Sequence, residues 1–316
     1  MTKYGYTLWC EGNDPRDLVS QAIAAEDAGF EFLVISDHYH PWLPEQEHSG
    51  FAWSILGAVA QATETIELAT MVTCPIIRYH PAIIAQAAAT VSVLSEGRFT
   101  LGLGAGERLN EHIVGRGWPP VDVRHEMLAE AIGVIQLLWG GGYVSHRGRH
   151  YALEDARVFD LPHEPVRTYL AASGKQSAKL AADRTMGVCI TEPDASVVGA
   201  YREAGGDGTV WGQVVLSWAD TEERGLAAAH AQFRFAHGGW KVQAELPNPV
   251  NFDAATRAVK PADLAGAIPA GPDPHAHVKG IATFTDAGVE HMAVAYPGQD
   301  WNGFMRFWQT EVRPLL

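Results

Sequence analysis

The chain has 316 residues, 47% of them hydrophobic and 19% charged, with a formal net charge of −14. That length allows one large α/β barrel or two smaller domains, and the apolar fraction suits a globular enzyme with a sizeable core. The acidic balance argues against nucleic acid or an anionic membrane as partner, since both need clustered Lys and Arg; a small-molecule substrate is expected instead. Cys10, Cys74 and Cys189 are widely spaced and form no CxxC, which points to a reducing cytoplasm. The N-terminal residues do not read as a signal peptide, and no long apolar run suggests a membrane span.

Residues 5–9 read as a first strand. Asp14 and Pro15 then open a helix as N-cap and first helical residue; Leu18, Ala22, Ala25 and Ala28 give it an apolar face, and Gly29 stops it. A buried strand at 32–35 runs into Ser36-Asp37-His38-Tyr39-His40-Pro41-Trp42. Proline ends a ladder, and packed ionisable groups are costly in a core, so the chain leaves the sheet here. A helix at 51–63 and a strand at 66–72 follow. Pro81 opens a helix of small residues to 94, and a strand at 98–103 ends in Gly104-Ala105-Gly106-Glu107. A long helix spans 123–138, Gly140-Gly141-Gly142 breaks it, and 143–153 reads as a surface hairpin.

Alternation then resumes: strand 166–171 with helix 176–183, strand 188–191 with helix 196–204, strand 210–218 with helix 221–236. Residues 237–258, rich in Pro, Asn and Gly, read as an irregular insertion or lid. Helices at 261–267 and 275–287, a strand at 291–296 and a helix at 301–312 complete the chain. Eight strand–helix units without a linker predict a single (β/α)8 TIM-barrel domain over 1–316, with a doubly wound sheet as the alternative.

In a barrel the C-terminal strand ends share one mouth. Glu11 follows strand one; Asp37, His38 and Trp42 follow strand two; Cys74, Pro75 and Arg78 follow strand three. Glu107 and Asn110 follow strand four, Ser173 and Gly174 strand five, and Thr191 strand six. A His and a Glu across such a mouth can trade protons with a substrate. Taken singly, each more often serves as a cap or a surface ion pair; their shared location favours chemistry. Residues 102–106 spell G-x-G-x-G rather than a dinucleotide fingerprint, and Glu107 would repel a pyrophosphate. The glycines are instead expected to let backbone approach a flat ligand. His38-Tyr39-His40 is similar to the metal pair of barrel hydrolases, but the ends of strands five and six supply no further ligands, so no metal is expected.

Four motifs carry a family resemblance: Ser36-Asp37-His38-x-x-Pro41-Trp42, Arg78-Tyr79-x-Pro81-Ala82, Gly104-x-Gly106-Glu107-x-Leu109-Asn110 and Ala171-Ala172-x-Gly174. With them the chain resembles luciferase-like flavin/deazaflavin oxidoreductases, in particular the coenzyme F420-dependent glucose-6-phosphate dehydrogenase group. The resemblance implies a homodimeric, luciferase-like (β/α)8 barrel with insertions and F420 across its mouth. It implies that Asp37, Met71, Val72, Cys74, Gly106, Asn110, Ser173, Gly174 and Thr191 line the coenzyme, with a non-proline cis peptide at Met71-Val72 behind its central ring. It further implies that His38 takes the hydroxyl proton, that Glu107 serves the reduced ring, and that Trp42 shields the intermediate. Glu11, Trp42 and Thr191 are expected on the substrate side.

The resemblance fails at the phosphate. The sugar-phosphate enzymes use a Thr, two Lys and an Arg; here Thr191 remains, the first lysine position reads Asp194, the second falls near Gln243, and the arginine position lies in Leu264-Ala265-Gly266-Ala267. Each charge-assisted contact contributes about 1.5–3 kcal/mol, so the expected substrate is an uncharged alcohol, sugar or carbonyl compound rather than glucose-6-phosphate. An FMN-dependent monooxygenase and a non-catalytic F420-binding barrel are the alternative expectations.

Overall fold

The computed structural model describes residues 2–184 and 186–316. Eight strands close into a parallel barrel: β1 (Lys3–Leu8), β2 (Phe32–Ile35), β3 (Glu67–Thr70), β4 (Phe99–Leu103), β7 (Arg167–Ala171), β8 (Gly187–Ile190), β9 (Val210–Val215) and β10 (His291–Ala295). The remaining pair, β5 (Val144–Arg147) and β6 (Ala152–Ala156), is the expected hairpin, antiparallel and outside the barrel. Closure comes from β1, which pairs with β2 on one side and β10 on the other. The barrel replaces the doubly wound alternative, which has two free edges.

Local sequence accounts for the helices. Asp14 caps Pro15–Asp27 by accepting from the Arg16 amide at 2.9 Å, with Pro15 at the first position as expected. The interior of the barrel is filled with large rings. Tyr169 stacks on Trp211 with centroids 4.6 Å apart, and Phe32 meets Trp211 edge-on at 5.0 Å. This packed floor leaves the chemistry to the strand ends above it.

Three sequence expectations need correction. β3 ends at Thr70, short of 72; Met71-Val72 is a cis peptide, and pairing to β4 resumes at Thr73 with Leu103. Of the helix expected at 261–267, only a 3-10 turn, Pro261–Leu264, forms. Residues 237–258 are not irregular: Trp240–Gln243 is a short helix, and Pro249–Thr256 is a second one, capped by Asn248 and begun by Pro249. Pro and Asn read as loop residues were a helix start.

Residues 232–253 are tied to neighbouring elements at the C-terminal end of the barrel. Arg234 pairs with Glu45 and, at 2.9 Å, with Asp253; Arg124 pairs with Glu245 at 3.0 Å. The Arg108 amide donates to the Ala244 carbonyl at 3.0 Å, and Gln46 donates to the Gln232 carbonyl at 3.0 Å.

Candidate active site

The loops after β1, β2, β3 and β4 bring four groups of polar side chains to the C-terminal end of the barrel. At their centre is His38. Its Nδ1 forms a close ion pair with Glu11, and its Nε2 lies 3.2 Å from Glu107 Oε1. Glu11 is wholly buried, and its other oxygen accepts from Ser36 Oγ at 2.7 Å. Glu107 accepts from Asn110 Nδ2 at 2.5 Å. The result is a chain, Ser36–Glu11–His38–Glu107–Asn110, in which one imidazole sits between two carboxylates. The His38 and Glu107 side chains each keep 11% of their surface open, whereas Glu11 keeps none.

This arrangement sets the proton affinity of the ring. Burial works against the charged imidazole, but the charges of Glu11 and Glu107 and the hydrogen bond to Glu11 outweigh it. Even with Arg78 nearby acting the other way, His38 is raised from 6.5 to about 8.

Asp37 is buried and its carboxylate is fully engaged. Arg78 Nη2 and Tyr79 Oη donate to Oδ1 at 3.0 and 2.9 Å, and Thr73 Oγ1 and Trp53 Nε1 donate to Oδ2 at 2.8 and 3.2 Å. Arg78 Nη2 also donates to the Asp37 carbonyl at 2.6 Å. Asn110, expected along the coenzyme, spends its carbonyl on the amides of Tyr39 and His40, at 2.7 and 3.0 Å. These two residues fasten the backbone on either side of His38. His40 is likewise occupied, its Nδ1 lying 2.9 Å from the Leu109 carbonyl.

Trp42 is buried, with its ring edge toward His38 at a centroid distance of 5.0 Å. One face is stacked on Phe235 at 4.5 Å, and Phe252, from segment 237–258, meets it edge-on at 5.1 Å. Trp9, at the end of β1, joins this cluster through Phe233 at 4.5 Å. The indole Nε1 atoms of Trp9 and Trp42 are buried and without a hydrogen-bond partner.

The glycine run packs closely against the end of the neighbouring strand. A Cβ on Gly104 would stand 2.6 Å from Val72 Cγ2, and one on Gly106, whose φ is +68°, would stand 2.4 Å from Cys74 Sγ. On that side the space is taken by the end of β3, so these glycines let one strand end seat closely against its neighbour. Cys74 is buried there; burial, then the charges of Glu111 and Glu107, push its thiol well up, so it stays protonated. Met71 and Val72 are half-buried above the aromatic floor. Across the mouth, Ser173 and Thr191 are exposed; Gly174 has open space where a Cβ would stand, and it precedes helix Lys175–Asp183, which has no side-chain cap.

Glu11, expected beside the substrate, is thus spent beneath His38. Sequence reasoning missed Glu111, which is wholly buried and accepts from the Arg78 amide at 2.8 Å. Its signal was the i, i+4 spacing from Glu107, which places both on one side of a helical turn. Among the described residues, no group of three or more His, Cys, Asp or Glu side chains could hold a metal ion, and no helix is long and apolar enough to cross a membrane.

A family profile described as luciferase-like monooxygenase matches residues 3–291. The F420-dependent hydroxymycolic acid dehydrogenase of Mycobacterium tuberculosis (strain ATCC 25618 / H37Rv) is 35% identical over 307 residues, spanning 95% of this chain and 84% of that protein. The F420-dependent glucose-6-phosphate dehydrogenase of Beutenbergia cavernae is 33% identical over 330 residues, spanning 100% of this chain and 98% of its own length. Among solved structures, an F420-dependent secondary alcohol dehydrogenase in complex with an F420–acetone adduct superposes with a TM-score of 0.92 at 29% identity, covering 99% of this chain and 98% of the other. The chain belongs to the luciferase-like monooxygenase family, and within it resembles the F420-dependent dehydrogenases.

Proposed function

We propose that the protein is an F420-dependent oxidoreductase that interconverts an uncharged alcohol and its carbonyl compound. The observation that carries this reading is the placement of His38 between Glu11 and Glu107 at a barrel mouth. F420, when bound, supplies the hydride acceptor or donor. The residues suit it: the mouth opens beside the cis peptide Met71-Val72, and the uncapped start of helix Lys175–Asp183 offers backbone N–H groups to the coenzyme's phosphodiester. Met71, Val72, Cys74, Gly106, Asn110, Ser173, Gly174 and Thr191 would line it, with Asp37 holding the loops that face it.

His38 takes the hydroxyl proton during oxidation and returns it during reduction. Hydride leaves a carbon more readily as its hydroxyl deprotonates. Glu11 holds the ring and favours its charged form. Glu107, partly open, serves the coenzyme side, and Trp42 excludes water from the reacting carbon. The segment 237–258 is the cover of this single barrel domain.

The substrate is not a sugar phosphate. Thr191 is exposed at the end of β8 beside the exposed Glu192 and Asp194, whose charges oppose a dianion. The buried arginines around the mouth are already paired: Arg78 with Asp37 and Glu111, Arg124 with Glu245, Arg234 with Glu45 and Asp253. Assembly as a homodimer is supported by helices Ala52–Ala62 and Pro81–Leu94, which carry no charged residue in a chain of net charge −14. Phe51, Ile83 and Val93 are 53%, 55% and 45% exposed on that side. A cytoplasmic setting is supported by three buried cysteines, none in a disulfide.

Replacing His38 by Ala tests the central claim: turnover of alcohols should fall by about 10²–10⁴-fold with little change in F420 affinity. Unaltered turnover in the variant, or efficient turnover of glucose-6-phosphate by the wild type, would refute the corresponding part of the reading.

A further inference from the structure

Glu111 is a buried carboxylate for which the proposed reaction has no direct use. It closes the short helix Arg108–Glu111, the turn that Glu107 precedes. Two side chains of this turn reach into the His38 loop. Glu107 meets the His38 ring, and Asn110 holds the amides of Tyr39 and His40. Glu111 acts one residue further back: its Oε2 accepts from the Arg78 amide at 2.8 Å, and its Oε1 lies 3.5 Å from Arg78 Nε. Arg78 in turn grips both the carbonyl and the carboxylate of Asp37, the residue before His38.

We propose that Glu111 is a positioning residue: its negative charge offsets Arg78 and thereby fixes both the place of His38 and the ease with which that ring holds a proton. This rests on His38 being the proton acceptor, and it adds a residue that touches neither the ring nor the substrate.

The electrostatics give the direction. Arg78 acts to lower His38, against Glu11 and Glu107. A charged Glu111 cancels part of Arg78, so losing that charge leaves His38 easier to deprotonate. Glu111 faces Cys74 and Arg78 from the β3 loop, Asp37 from the β2 loop, Glu107 from its own turn and Tyr151 from the hairpin side. Burial raises it most; Arg78's charge and amide oppose this, and Glu107 and Asp37 add to it, leaving it at about 7. It therefore changes charge in the same range as the ring it influences.

The test is the variant Glu111→Gln, which keeps an acceptor for the Arg78 amide and removes the charge. The readout is the His38 ring titration by NMR on coenzyme-free protein, with kcat, KM and F420 affinity measured alongside. The ring midpoint should fall by about half a pH unit or more. The pH profile of alcohol oxidation should move down by the same amount, with F420 affinity little changed. A variant ring that titrates as in the wild type overturns the proposal. Should that variant fail to fold, Glu111→Asp decides: it keeps the charge but draws it back from Arg78, so the ring midpoint should again fall, and a ring that titrates as in the wild type overturns the proposal. Because the ring is read without coenzyme or alcohol, a failure here is distinguishable from failure of the proposed activity.

Discussion

The substitution Glu11→Gln isolates the interaction on which the site turns. It keeps the shape of the side chain and removes the charge paired with His38. In the folded protein that ring is raised from 6.5 to about 8, after burial has acted against it and the two carboxylates for it. A displacement of that size corresponds to about 2 kcal/mol in favour of the charged ring. The folded value lies above the unfolded one, so this stabilisation is complete below 6.5 and disappears as pH rises through about 8. With Glu11 uncharged, burial has less opposing it, and the ring should titrate at or below its ordinary value. Urea unfolding of both proteins at about pH 6 and about pH 9 reads the difference: the variant should lose about 2 kcal/mol more at the lower pH than at the higher. Equal loss at both pH values, or a variant ring that still titrates near 8, would refute the assignment of Glu11 as the group that charges His38.

Three further outcomes are expected. With His38 as the proposed proton acceptor, alcohol oxidation should rise as pH passes through about 8 and carbonyl reduction should fall over the same range; initial rates in both directions check this, and two parallel profiles would contradict it. Asp37→Asn weakens a carboxylate that holds four donors and leaves the buried Arg78 short of a countercharge; a denaturant midpoint shift equivalent to about 3–5 kcal/mol is expected, and a loss under about 1 kcal/mol would mean the clamp is not structural. Phe252→Ala empties a fully buried ring site against Trp42 and should cost about 3–5 kcal/mol, with a change in tryptophan fluorescence as the cover loosens; unchanged amide exchange across 234–256 would show that this ring does not hold the cover down.

Much of the site was legible because it is written in strand ends. Asp37, His38, Glu107 and Asn110 each follow an apolar run that a proline or glycine stops, and a parallel barrel sends all such ends to one side. What each side chain does there was less legible. Asp37 and Asn110 read as ligand contacts, yet their polar atoms are taken by Arg78, Tyr79, Thr73, Trp53 and the amides of Tyr39 and His40. Those partners lie far along the chain, and no local pattern encodes them. The glycines after β4 announced a close approach, and Val72 and Cys74 of the adjoining strand end are what stands where their Cβ atoms would be.

The order of strands and helices, the positions at which the chain leaves the sheet, and the acidic character of the molecule follow from the sequence alone. Periodicity, caps and breakers act within a few residues and are therefore readable from them. Only the tertiary structure decided that Glu11 lies under His38 rather than beside a substrate, that Trp42 packs on Phe235 and Phe252, and that Glu111 stands behind Arg78. Each of those depends on barrel closure bringing separate loops within a few ångströms. The energy of a buried charge is set by such neighbours in space, and sequence distance says nothing about them.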